Sequence, residues 1–381
     1  MKLISRLILS LAALASLLPS GLAQPAKTAK GEYIAYVGTY TRPGKSKGIY
    51  AWRFHPANGK VTAIGLVGET ASPSFLAVHP NHKFLYAVNE VSNFEGKRAG
   101  SVSAFAMDTS TGKLKLLNTV SSRGDGPCHL ALDPSGKWLF VANYNGGSVA
   151  EFPVHDDGTL GEASAFVQHV GSSVNRQRQA GPHAHSTVLS PDGKSVYVAD
   201  LGLDQILSYK VAGLVPNDPP YTKIAQGAGP RHLAFTPNGR YAYVMTEMTA
   251  SVVAFRYEGG KFEELQTLPT AEMAANVSGA EIAVHPNGKF VYSSTRGANT
   301  IAVFAIDADK GTLTPVERTP SGGKTPRNFA IDPTGAYLFA ANQDSDNVVM
   351  FRIDAKTGKL TPAGNTLDAF APVCVILVPA R

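Results

Sequence analysis

One segment recurs along this chain, and it constrains the fold more than any other feature. HPNHKFLYAVNE from His79, DPSGKWLFVANY from Asp133 and SPDGKSVYVADL from Ser190 share a turn followed by an apolar strand. TPNGRYAYVMTE from Thr236, HPNGKFVYSSTR from His285 and DPTGAYLFAANQ from Asp332 repeat it. Successive copies lie roughly 46 to 57 residues apart, the period of propeller blades rather than of helical repeats. A β-rich run precedes each copy (SFLAV, CHLAL, HSTVL, RHLAF, EIAV, NFAI). A third strand follows, such as SVSAFAM or TIAVFAI, and a hairpin such as Thr357-Gly358-Lys359 leads to a fourth. Four antiparallel strands per repeat make a propeller blade.

A seventh unit is split between the chain ends. Pro372 to Pro379 has the pattern of a first strand, and Ile34 to Tyr40 that of a second. The spacing therefore predicts an all-β, seven-bladed propeller over residues 33–381, closed where the terminal strands share one blade. Closure removes the unpaired sheet edges that an open array would expose. The 37 glycines and 25 prolines, spread along the chain, suit many short strands and turns.

The N-terminus reads as an address. Lys2 and Arg6 precede a nearly continuous apolar run from Leu7 to Leu18, and Gly21-Leu22-Ala23 offers small residues for cleavage. This pattern predicts a signal peptide over 1–23, a short tail over 24–32, and an exported, periplasmic or secreted protein. The apolar run is short for a membrane span, which needs about 20 residues. No association with the membrane is expected once the leader is removed.

The formal charge of +6 falls by two without the leader, and many of the remaining lysines sit at hairpin tips. They form no basic stripe interleaved with aromatics, which argues against nucleic-acid binding. Cys128 and Cys374 are the only cysteines, expected as buried free thiols. The chain has no CxxC pair and no HExxH helix, so no metal or other cofactor is expected.

In a propeller the start of strand one and the end of strand two meet on one face of the channel. Aligned on the shared proline, the strand-one starts are Ser74, Cys128, His185, Arg231, Ala280, Arg327 and Val373. The next positions include Phe75, His129, His232, Glu281, Asn328 and Cys374. The strand-two ends are Tyr40, Glu90, Tyr144, Leu201, Glu247, Arg296 and Gln343. Inner strand positions are apolar, whereas this rim holds histidines, arginines, carboxylates and amides. Such convergence marks a binding site. His183, Arg327, Asn328, Gln343, Glu90, Tyr144 and Glu281 are accordingly candidates for substrate contact. Asn89, Asn143, Asp200 and Asn342, by contrast, fit a structural role at blade corners, as His79 and His285 do in their turns. Arginines beside a glutamate could also simply tie neighbouring blades.

The GPHAHS run at Gly181, ADLGLDQI at Ala199, GPRHLAFTPNGRYAYVMTE at Gly229 and the PRNFAIDPTG…ANQDSDNV run from Pro326 resemble the seven-bladed lactonase family. That family includes a bacterial 6-phosphogluconolactonase and fungal carboxy-muconate cycloisomerases. The resemblance covers about Tyr33 to Pro379. It implies a catalytic histidine, two arginines and a glutamate, which fall on His185, Arg231, Arg296 and Glu247. The implied activity is metal-independent hydrolysis of a sugar lactone. His185 or Glu247 would take the proton of water, one arginine would face the oxyanion and another an anionic group of the substrate. An export signal departs from the family's cytosolic phosphosugar substrate, so an unphosphorylated aldonolactone or another lactone is expected. The expected partner is a small anionic or polyhydroxylated lactone, bound by a monomer or weak dimer. Two alternatives stand beside this: a cycloisomerase forming a lactone from a muconate-type diacid, and a non-catalytic exported binding propeller.

Overall fold

The computed structural model describes residues 31–381. The expected leader, 1–23, and residues 24–30 of the tail lie outside the described residues.

Seven four-stranded antiparallel sheets stand around a central channel. The inner strands of the six continuous blades are Leu76–Val78, Pro127–Leu132, Ala184–Leu189, Pro230–Phe235, Ser278–Val284 and Pro326–Ile331. In the closing blade, Pro372–Pro379 pairs with Tyr33–Thr39, Val375 opposite Val37 and Leu377 opposite Ala35. The ring is thus joined by strands from opposite ends of the chain, as the split seventh unit predicts.

The second strands are buried almost throughout; Tyr33–Thr39 and Tyr241–Thr246 have no exposed residue. Their side chains alternate between the two faces of the sheet, and each face packs on a neighbouring blade. Tyr243, Met245 and Val252 thus share a core with Val291, Ala302 and Phe304 of the next blade. A sheet covered on both faces must be apolar on both, which explains the unbroken VYVA-type runs in the sequence.

One residue of the second strand adds a polar tie between blades. The hydroxyls of Tyr86, Tyr243 and Tyr292 donate to the carbonyls of Gly158, Gly311 and Gly358 at 3.0, 3.0 and 2.7 Å. These glycines sit in the hairpins between strands three and four of the following blade. Gly311 has φ of +73°, and a Cβ there would lie 2.1 Å from the ring of Tyr241. Only glycine both adopts that conformation readily and leaves room for the ring. His79 and His285 tie blades similarly, each facing a turn carbonyl, of Gly136 at 3.0 Å and Gly335 at 2.8 Å.

At the Tyr36 position the buried hydroxyl has no hydrogen-bond partner among the described residues. Tyr243→Phe and Tyr292→Phe should therefore each cost about 1 kcal/mol, leaving a carbonyl without its donor. Tyr36→Phe should be neutral or stabilising. Urea midpoints of the three variants against the wild type check this; an equal loss at all three would refute the assignment of the ties.

Candidate active site

The strand-one positions of the site are set by a local irregularity. The inner strand carries one extra residue at its head: Ala184 opposes Asp200 and Ser186 opposes Ala199, so His185 bulges between them. Arg231 bulges between Pro230 and His232 in the same way. Cys128, Arg327 and Val373 occupy the corresponding bulges of three other blades. A bulge leaves a residue unpaired and re-aims its side chain. Here it turns the residue toward the channel.

A second recurring feature holds the opposite side of the rim. The backbone N–H just past strand two donates to a carbonyl preceding the bulge. Glu247 reaches Gly229 at 2.7 Å, Tyr144 reaches Gly126 at 2.8 Å and Glu90 reaches Ser72 at 3.0 Å. The rim residues therefore rest on backbone geometry that the repeat supplies.

Glu247 is the centre of the site. Its Oε2 lies 3.1 Å from Arg231 Nε and 2.9 Å from Arg296 Nη2 of the next blade, and its Oε1 lies 2.5 Å from Arg178 Nη2. Burial alone would raise the pKa of this carboxyl, but Arg296, Arg231 and Arg178 hold it at about 2. Arg231 is fully enclosed. Burial, with Arg296 and Arg327 nearby, brings its pKa down to about 10, still a cation at neutral pH.

His185 Nε2 stands 3.8 Å from Glu247 Oε2, too far for a direct hydrogen bond and close enough for a bridging water or hydroxyl. Its Nδ1 lies 3.9 Å from the sulfur of Cys128. Burial, then the positive charges of Arg231 and Arg327, hold its pKa well below the ordinary histidine value. The imidazole is therefore neutral at pH 7.

His185 and Glu247 line a cleft of about 250 Å³ with Glu90, Cys128, Tyr144, Asn145, Arg178, Arg296 and Arg327. Beneath it a chamber of about 10 Å³, room for one water, is lined by Arg231, His232, Glu281 and Asn328 and shares His185, Cys128, Glu90 and Arg327 with the cleft. A larger open hollow of about 520 Å³ near Arg42 and Glu69 lies away from these groups. Its lysine–glutamate pair, Lys47 and Glu69, is about two-thirds exposed, and no buried ionisable groups converge there.

The rim residues sort into three groups. His185, Glu247, Arg296, Arg327, Glu90 and Tyr144 face the cleft, and Arg231 supports it from below. Glu281 and Asn328 face only the chamber, with their polar atoms engaged by protein groups. His183 and Gln343 line neither space. His183 stacks on the Tyr144 ring at 4.6 Å and its Nδ1 lies 3.0 Å from the Tyr144 carbonyl, while Gln343 donates to Asp344 at 3.1 Å. The corner residues act locally: Asp200 accepts from the N–H of His183 at 2.8 Å and Asn143 donates to the Ser122 carbonyl at 3.2 Å.

Arg327 has no hydrogen bond or ion pair among the described residues, and its guanidinium sits 5.4 Å above the Tyr40 ring. Burial works against its charge, but Tyr40, Glu90 and Glu247 more than offset this and raise its pKa. The Tyr40 hydroxyl in turn donates to Glu90 at 3.0 Å.

Arg178 escapes the register argument. It comes from the long connection between Gln168 and Ala184, which has no counterpart in the other repeats. Ser173 donates to Asp204 at 2.5 Å and the buried Gln179 side chain donates to the Leu201 carbonyl at 2.9 Å, latching the loop to the third blade. Arg178 then crosses to Glu247 and also donates to the Tyr144 hydroxyl at 3.1 Å. The only sequence signal is two arginines in an otherwise uncharged loop, Asn175-Arg176-Gln177-Arg178.

Both cysteines are free and buried. Among the described residues no group of three or more His, Cys, Asp or Glu is placed to hold a metal ion.

Comparison with known proteins gives this geometry a family. The family model described as "Lactonase, 7-bladed beta-propeller" matches residues 34–377. A 6-phosphogluconolactonase of Bacillus subtilis is 36% identical, the match covering 78% of this chain and 84% of that one. A solved Bacteroides fragilis structure, 38% identical, superposes with a TM-score of 0.87 over 93% of this chain and 100% of its own. A periplasmic gluconolactonase of Pseudomonas aeruginosa, 33% identical, has a TM-score of 0.87 over 92% of this chain and all of its own. The chain belongs to the seven-bladed β-propeller lactonase family.

Proposed function

We propose that this protein is an exported hydrolase of sugar lactones that works without a metal ion. One observation carries the proposal: a neutral His185 faces a cleft beside a carboxylate already committed to three guanidinium groups. Family membership supports lactone chemistry. The periplasmic gluconolactonase neighbour and the leader-like pattern from Lys2 to Ala23 support export and a sugar lactone. No helix among the described residues is long and apolar enough to cross a membrane. The cycloisomerase and the non-catalytic propeller draw no comparable support from these relatives.

Of the two candidate bases, His185 is the better. A carboxyl held at about 2 gives its ion pairs up only at great cost, so Glu247 is a poor proton acceptor. His185 is unprotonated at neutral pH, and the imidazolium formed in the reaction would lie 3.8 Å from the Glu247 carboxylate, which stabilises it. Water gives its proton to His185 Nε2 as its oxygen bonds to the lactone carbonyl carbon. The tetrahedral intermediate then breaks the ring C–O bond, and the proton passes to the leaving oxygen.

Arg296 and Arg178 reach into the cleft with donors that can meet the oxyanion. Arg327 supports an anchoring role: its planar guanidinium is cationic, lines the cleft and is free of ionic partners among the described residues. It would hold a carboxylate or phosphate of an acidic sugar lactone, or hydroxyls of a neutral one.

Acid release from gluconolactone, its 6-phosphate and muconolactone-type compounds, corrected for spontaneous opening, tests the proposal directly. Arg231→Ala and Glu247→Ala should each lower kcat/KM at least about 100-fold, with EDTA having no effect on the wild type. No turnover above background by a folded wild-type protein would overturn the proposal.

The pH profile tests the neutral state of His185. If His185 must be neutral, kcat/KM stays level from pH 8 down through 6.5 and falls only in more acid solution, because its pKa is depressed. An acid limb at or above 6.5 would exclude this assignment. His185→Gln should lose about 100-fold or more in kcat at every pH.

Arg327→Met should raise KM for the phosphorylated lactone at least about tenfold while leaving KM for gluconolactone within about twofold. Equal effects on both substrates would remove Arg327 from the anion-anchoring role.

A further inference from the structure

The chamber under the cleft contains a pair that takes no part in the proposed reaction. His232 Nδ1 lies 2.8 Å from Glu281 Oε1, and His232 Nε2 lies 3.3 Å from Arg231 Nη1. Both side chains are almost wholly buried. We infer that Glu281 and His232 are positioning residues, which aim Arg231 at Glu247 by fixing one tautomer of the His232 ring. The inference rests on the lactonase proposal for its kinetic arm only.

Donor and acceptor inventory forces the tautomer. Glu281 accepts at both oxygens: from Asn328 Nδ2 at 2.5 Å, and from the backbone N–H of Ile282 at 3.0 Å. Asn328 is itself oriented, because its Oδ1 accepts the backbone N–H of Val375 at 2.8 Å. Asn328 therefore presents its amide N–H to Glu281, which acts as an ionised acceptor. Glu281 in turn requires a hydrogen on His232 Nδ1.

Arg231 Nη1 can only donate, so His232 Nε2 must offer a lone pair. The ring is then neutral with its proton on Nδ1. An imidazolium would turn an N–H toward the guanidinium and add a like charge beside it. Burial, the largest influence on His232, favours the neutral form, and Arg231 and Arg327 add to it against the opposing pull of Glu281.

Arg231 needs such help. It is enclosed and cationic, and the groups that hold it are the Ala280 carbonyl at 2.7 Å, Glu247 at 3.1 Å and His232. An arginine side chain has several rotatable bonds, and a misdirected guanidinium would release Glu247 as well. The support crosses four blades: Val375 of the closing blade, Asn328 of the sixth, Glu281 of the fifth and His232 of the fourth. His232 and Asn328 immediately follow the bulge residues Arg231 and Arg327, and Glu281 lies in the irregularity between Gly279 and Ile282 of its own strand. The repeat thus places site residues in one register and their supports in the next.

The network predicts a specific rescue. Glu281→Gln keeps the acceptor for His232 but turns an amide N–H toward Asn328 Nδ2, setting donor against donor. It should lower kcat at least tenfold and change KM less than twofold. Adding Asn328→Asp restores complementarity. The introduced amide still accepts from His232 through its oxygen, and its nitrogen now donates to the introduced carboxylate. The other oxygen of that carboxylate accepts from Val375. The double variant should recover at least half of the lost log kcat. Retained activity in Glu281→Gln, or no recovery in a folded double variant, would overturn the inference. Imidazole ¹⁵N spectra of the wild type supply an arm independent of turnover. His232 should show a protonated Nδ1 and an unprotonated Nε2 at pH 7; the opposite tautomer, or an imidazolium, would refute the inference even if no lactone is hydrolysed. Absence of wild-type turnover together with the expected tautomer would refute the lactonase proposal and leave the Arg231 support standing.

Discussion

A four-stranded blade cannot cover its own two faces, and the rest of this molecule follows from that constraint. Each sheet must pack on two neighbours, which is satisfied throughout only when the row of blades closes on itself. Closure leaves no terminal sheet face bare, and the pairing of Tyr33–Thr39 with Pro372–Pro379 joins the ring within one blade. It also creates a channel lined by seven inner strands, into which apolar side chains cannot all converge without crowding. The bulge at the strand head resolves the end of this channel. One residue per bulged blade is turned out of the sheet register and becomes free to carry chemistry.

Placing charge in that channel is expensive, and the arrangement shows how the cost is met. Glu247 and Arg231 would each be poorly solvated alone, and a buried charge without a partner is strongly destabilising. Together with Arg296 and Arg178 they form a cluster in which every carboxylate oxygen has a guanidinium. The balance is incomplete at two points: Glu90 is held by the Tyr40 hydroxyl with no ion pair among the described residues, and Arg327 has none either. Three arginines and two glutamates line the cleft, and Arg327 is the cation among them without an ionic partner in the described residues. Positive charge left uncompensated inside a cleft attracts an anionic or strongly polar ligand, whereas the fully paired groups keep their geometry with or without one.

Much of this was legible in the sequence because the repeat is physical, not just statistical. The turn-plus-strand copies set the blade count, and alignment on their proline brings His185, Arg231, Glu247 and Arg296 to one rim. What alignment could not supply was depth. Asn328 stands one residue past its bulge and Glu281 within the irregularity of its strand, and both face the chamber below the cleft, where protein groups occupy them. Nor could it supply Arg178, since register carries no information about a loop that interrupts the repeat. His183 lies two residues from His185, but its proximity in sequence is undone by the bend before the strand, which turns it onto Tyr144.

The same layering explains how such a site can be both rigid and adaptable. The bulge residues and the strand-two ends differ freely between blades, because the backbone hydrogen bonds that hold them involve no side chain. Substituting one of them changes the chemistry of the cleft without disturbing the sheet. The residues of the layer beneath are coupled to each other: Phe75 packs at a tilt against His129, His129 meets His232 edge-on, and His232 continues through Glu281 to Asn328. Change at any of these strands a buried donor or acceptor, or opens a gap against an aromatic ring. A relative with a different substrate should therefore differ first in the cleft-facing layer, at positions such as Arg327, Glu90 and Tyr144. The belt beneath is expected to change only in complementary pairs.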